Sequence, residues 1–80
     1  MERQTRRYLL ALALVLYDDL SPWDRDGLKK SDLYRYRRNE LILFCATIYK
    51  DRMETMSFLY FRCWWIDIEH AVYCRLYGGH

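Results

Sequence analysis

Along the chain, apolar positions recur at helical spacing in three long stretches separated by short polar breaks. In the first stretch Leu9, Leu12, Leu16 and Leu20 form one face, and Leu10, Leu14 and Tyr17 form a second. A helix that is apolar on two sides has to be covered on two sides, which predicts a central helix or a subunit interface. Thr5 is placed to accept from an orphan N–H at its start, so the helix is expected over about residues 5–20.

Ser21-Pro22-Trp23-Asp24 then reads as a helix start. The serine caps, proline fits the first turn, and the aspartate sits near the positive end of the dipole. Gly27 is expected to stop this element after about one turn, giving residues 22–27. Ser31 is expected to open a long helix over residues 31–53, with Leu33, Tyr34, Leu41, Phe44, Cys45 and Ile48 on its apolar face and Tyr36 and Leu43 opposite.

The last stretch predicts a helix over residues 55–77, capped by Thr55 and closed at Gly78 through a left-handed residue. Phe58, Phe61, Trp64, Trp65, Ile68, Val72 and Leu76 gather on one side of it. Residues 56–66 are rich in strand formers, so a hairpin competes with the helix on propensity. The lack of a turn signal through residues 56–77 favours the helix. The expected fold is all-α: a small three-helix bundle with an additional short helical turn, one domain over residues 1–80, with dimerisation as a further expectation.

Composition narrows the class. With 52% hydrophobic and 18% aromatic residues, three Gly and one Pro, the chain is neither a disordered tail nor a linker. The net charge is +2, with nine bases against six acids in residues 1–38 and four against five in residues 39–80. That basic excess is small for an obligate nucleic-acid binder. Cys45, Cys63 and Cys74 are odd in number and form no CxxC pair, which predicts reduced thiols acting as small buried hydrophobes in a cytoplasmic protein. Arg3, Arg6 and Arg7 ahead of the apolar run 8–17 imitate a signal peptide. Asp18 and Asp19 follow at once, however, with no small-residue cleavage site. The run is also shorter than the ~20 residues a bilayer requires, so no membrane partner is expected.

Candidate chemistry is sparse. On one helix Cys63, Asp67, His70 and Cys74 fall in a single arc, and all four side chains can ligate metal. The arc rises ~16 Å, so at most two or three could share an ion, for instance His70 with Cys74, and further donors would have to be Cys45 or His80. No metal and no cofactor is expected. Asp24-x-Asp26-Gly27 has the middle of a calcium loop, but Pro22 and Leu33 occupy the first and twelfth positions and cannot bind calcium there. His70 and Cys74 could pair as nucleophile and base, yet Asp67 and Glu69 make the setting unfavourable for a thiolate. There is no glycine-rich phosphate loop, serine elbow or HExxH, so no enzyme and no catalytic residue is expected.

Two surfaces remain. Lys29, Lys30, Tyr34, Arg35, Arg37 and Arg38 interleave base with tyrosine, which suits a nucleic-acid regulator as the alternative reading. On a single helix, however, Arg35, Arg37 and Arg38 would diverge. The stronger signal is the surplus of large rings, since three Trp, eight Tyr and three Phe exceed what a domain burying ~60–65% of its unfolded surface can hide. Leu59, Ile66, Tyr73 and Tyr77 lie off the main apolar arc among Arg62, Glu69 and His70. A partner-binding surface is therefore expected at Tyr60, Arg62, Trp64, Tyr73 and Tyr77, with Arg35 and Tyr36 as a second patch. The expected function is a protein–protein interaction module, an adaptor or an inhibitor, that also forms a homodimer. Small size without a chemical motif is the profile of antagonists that phages and other mobile elements direct at host defence, anti-CRISPR proteins among them; that expectation follows from size and the lack of motifs, not from a resemblance.

Overall fold

The rest of the molecule is wrapped around α1 (Arg6–Asp19). In the computed structural model, which describes residues 5–78, Leu9, Ala11, Leu12, Ala13, Leu14, Leu16 and Tyr17 are all buried. Both apolar faces of the helix are thus covered, by α3 (Arg38–Thr55) on one side and α4 (Phe58–Tyr77) on the other. The Thr5 hydroxyl accepts from the Tyr8 N–H at 3.1 Å and starts the helix. Residues 1–4, 79 and 80 lie outside the described residues, Arg3 and His80 among them.

The charges at the ends of α1 oppose its own dipole, with Arg6 and Arg7 in the first turn and Asp18 and Asp19 in the last. They suit α4, which runs antiparallel beside it. Arg7 donates to the Leu76 carbonyl at the C-terminal end of α4, and Asp19 accepts the Trp64 indole N–H at 2.8 Å near its N-terminal end. Asp18 pairs with Lys30 of α2 (Lys30–Leu33).

Residues 22–27 form a run of turns, and not the helical turn expected. The Ser21 hydroxyl donates to the Asp24 carboxylate, and Ser21 O accepts from the Asp24 and Arg25 N–H groups. Asp26 and Gly27 then take φ of 47° and 79°, and two successive left-handed residues cannot extend a right-handed helix. Tyr17 fastens this segment to α1: its hydroxyl donates to Leu28 O at 2.7 Å, its carbonyl accepts from Arg25, and the Arg25 guanidinium lies 4.5 Å above its ring.

The single helix expected over residues 31–53 is two. α2 is one turn, opened by the Lys29 N–H donating to Asp32, with Leu33 fully buried; Ser31 is not its cap. The chain then opens at residues 34–37, because the Arg6 guanidinium takes the Tyr34 and Tyr36 carbonyls at 2.8 and 2.9 Å. α3 starts afresh where the Arg37 N–H donates to the Glu40 carboxylate at 2.8 Å. It buries Leu41, Cys45 and Ile48. Tyr34, expected on the apolar face, is exposed, while Tyr36, expected opposite it, is half-buried against the core.

Met56 and Ser57 alone join α3 to α4. The cap of α4 is Ser57, whose hydroxyl accepts from the Tyr60 N–H, and not Thr55, whose hydroxyl donates back to Asp51 O. Residues 58–66 are helical, so the strand propensity of this segment yields to the bundle. Gly78 closes α4 at φ −101°, outside the left-handed region expected of it. Among the described residues the result is an all-helical bundle of three long helices and one short one, with no sheet.

Candidate partner-binding surface

Ser57 sets the phase of α4. One side meets α1 through buried Ile68 and Val72, flanked by half-buried Phe61, Trp64, Trp65 and Leu76. Four rings lock this side to α3. Tyr49 stands edge-on to both Phe61 and Trp65, at 5.1 and 4.8 Å, and Trp64 packs beside Phe61 and Trp65. Part of the aromatic surplus is therefore half-buried packing between helices.

The opposite side of α4 is bare. Leu59, Ile66, Tyr73 and Tyr77 are 71%, 57%, 62% and 59% exposed, and Cys63 and His70, also exposed, fall between them. The spacing 59, 63, 66, 70, 73, 77 alternates four and three residues, which places all six side chains on one line along the helix. The Tyr73 and Tyr77 rings are stacked at a tilt, 5.1 Å apart. Arg62 flanks the line, its guanidinium 5.8 Å from the Phe58 ring, and Asp67 and Glu69 are exposed beside it.

Of the residues expected in the partner patch, Tyr60, Arg62, Tyr73 and Tyr77 are exposed on α4. Trp64 is turned inward, bonded to Asp19 and 6.0 Å below the Arg52 guanidinium. Arg35 and Tyr36 lie in the break between α2 and α3, where Tyr36 shares a groove with Leu43 and Phe44 of α3 and not with α4. The residues that sequence reasoning left out of the patch are Leu59, Cys63, Ile66 and His70. Their signal was the four–three spacing, hidden because Cys63 and His70 invite a reading as ligands.

The basic stretch is rearranged by the same break. Lys29, Arg35 and Arg37 are exposed and Lys30 is paired with Asp18. Arg6, bonded into the backbone of Tyr34 and Tyr36, brings the N-terminal turn of α1 alongside them. Arg7, Tyr34 and Arg75 line one further shallow groove. Because residues 34–38 are not one helix, the divergence expected of Arg35, Arg37 and Arg38 does not follow from helical geometry.

The cysteines divide. Cys45 is buried against Leu9 O and its thiol is pushed up to about 12 by burial, whereas Cys63 and Cys74, expected to be buried, are exposed. Cys74 Sγ lies 3.5 Å from His70 Nε2. Among the described residues no three His, Cys, Asp or Glu side chains come together to hold a metal ion. No helix among them is long and apolar enough to cross a membrane. A 380 Å³ groove beside Leu20, Phe44 and Ile48 is also lined by Asp24, Thr47, Asp51 and Arg52, with the Thr47 hydroxyl donating to Leu43 O. No protein family, curated protein or solved structure matches this chain.

Proposed function

We propose that this chain is a small non-enzymatic, cytoplasmic interaction module that works by binding another protein through the outer face of α4, as an adaptor or as an inhibitor that covers a partner's working surface. The observation that carries the reading is the unbroken exposed line from Leu59 to Tyr77 on a helix whose other side is already packed. Exposed apolar surface of this length, edged by charge, costs solubility and has no role in holding the monomer together. Tyrosines and an arginine at its borders are the side chains that dominate binding energy at interfaces. An antagonist of host defence carried by a mobile element fits the same description on size.

The test is capture from a native lysate with the wild-type chain and with an Arg62→Glu, Tyr73→Ala variant. Both positions are exposed, so the circular dichroism should not change while the captured protein is lost. Undiminished capture by the variant would remove this face from consideration.

A second reading, a nucleic-acid regulator, is favoured by the Arg6 contact, which adds α1 arginines to Lys29, Arg35, Arg37 and Arg38. It predicts a salt-dependent mobility shift of duplex or single-stranded nucleic acid. No shift at low salt with about micromolar protein would exclude it.

A further inference from the structure

We infer that the occupant of the α4 outer face is a second copy of this chain, bound parallel and in register, α4 against α4. The inference rests on the reading of that face as an interface and names its occupant in the free protein, which a foreign partner would have to displace. The line Leu59, Cys63, Ile66, His70, Tyr73, Tyr77 has the spacing of the two core positions of a two-stranded coiled coil. It runs the ~30 Å length of a 20-residue helix. Its inner-facing counterparts Phe61, Trp64, Trp65, Ile68 and Val72 are engaged with α1 and α3, so the two faces do not compete.

Charge decides both the identity and the direction of the partner. In a parallel pair, each residue flanking the core meets the residue five positions further along on the other helix. Arg62 and Asp67 stand five apart in the flanking positions, so two copies aligned in parallel form the Arg62–Asp67 pair twice, once on each side. Among the described residues neither makes an ion pair within its own chain. An antiparallel pair with the same core layers would put Asp67 against Asp67 and Glu69 against Glu69 across the twofold axis, which is repulsive at both sites. The sequence of this one helix is therefore self-complementary in one direction only.

Parallel alignment also sets Cys63 opposite Cys63 of the second copy in a core layer, within the reach of a disulfide. The antiparallel alignment would set Cys63 beside Cys74. Light scattering of the reduced full-length chain should give the mass of two copies. A mild oxidant such as diamide, which accepts the two electrons released as two thiols join, should then link Cys63 to Cys63 in a Cys74→Ser chain and fail in a Cys63→Ser chain. Ile66→Asp should weaken the dimer by about 100-fold or more, at an exposed position that leaves the monomer folded. Arg62→Asp should weaken it by about five-fold, and Arg62→Asp with Asp67→Arg should restore it.

A Cys63–Cys74 link, or a chain that stays monomeric to about 100 µM, overturns the parallel dimer. A monomeric chain that loses a captured partner on Ile66→Asp leaves the interaction reading standing without the second copy, and one whose capture is indifferent to Ile66→Asp overturns both.

Discussion

α1 and α4 are both rich in apolar residues, and the bundle treats them in opposite ways. α1 is covered on both of its apolar faces, with Ala13 and Leu16 fully removed from solvent. α4, longer and richer in rings, is covered on one side, and its other side presents a line of six exposed residues. The difference teaches that apolar content does not separate a core helix from an interface helix. Residue size does so in part, since the Ala and Leu of α1 let two neighbours approach closely, whereas the rings of α4 fill one contact and leave the rest standing proud.

The contrast breaks most sharply under substitution. Leu16→Ala should cost about 2–5 kcal/mol of unfolding free energy, because it opens a cavity in the most enclosed part of the bundle. Ile66→Ala should cost less than about 0.5 kcal/mol when the chain is monomeric, because that side chain is mostly exposed and lies on the face of α4 turned away from the core. Urea titrations at low protein concentration measure both, and equal losses would erase the distinction between the two helices. Arg6→Ala is expected to cost about 1 kcal/mol and to speed amide exchange around residues 36–41, because the two carbonyls it holds are left to solvent.

Alkaline pH sharpens the comparison from the covered side. Burial raises the Cys45 thiol from 9.0 to about 12. Burial raises Tyr8 as well, assisted by the charges of Glu69 and Cys45. The folded chain then holds protons that the unfolded chain releases. Stability is full below about pH 9 and falls as pH rises toward 12. Melting temperatures between pH 8 and 11 should show that decline, and Cys45→Ala should flatten it. The smallest effect is kinetic: at neutral pH a thiol reagent should modify Cys63 and Cys74 of the monomeric Ile66→Asp chain quickly and reach Cys45 only on unfolding.

Much of this was legible in the residues. The two apolar faces of α1 correctly required cover on both sides, and Ile68 and Val72 sat at the centre of the apolar arc read for the last helix. The break at residues 34–37 was not legible, because no proline or glycine marks it. It is made by Arg6, almost thirty residues away, competing for carbonyls that a continuous helix would have used. Ser31 and Thr55 had the chemistry of caps, but the preference was local: the carboxylates of Asp32 and Glu40 start α2 and α3, and the Ser57 hydroxyl starts α4. Trp64 was read both on the apolar arc and in the partner patch, and it is the arc that holds: its indole is turned toward an aspartate supplied by α1.

The reversed charges of α1 have a consequence for how the chain is made. At the ribosome this segment emerges early, yet alone it is a short helix with a cation at its positive end and an anion at its negative end. Arg7 and Asp19 find their partners on α4, Arg6 on the Tyr34 and Tyr36 carbonyls and Asp18 on Lys30, all of them later in the chain than α1. The innermost helix of the bundle must therefore wait for elements that follow it in the chain, and α1 is expected to consolidate only once α4 has emerged.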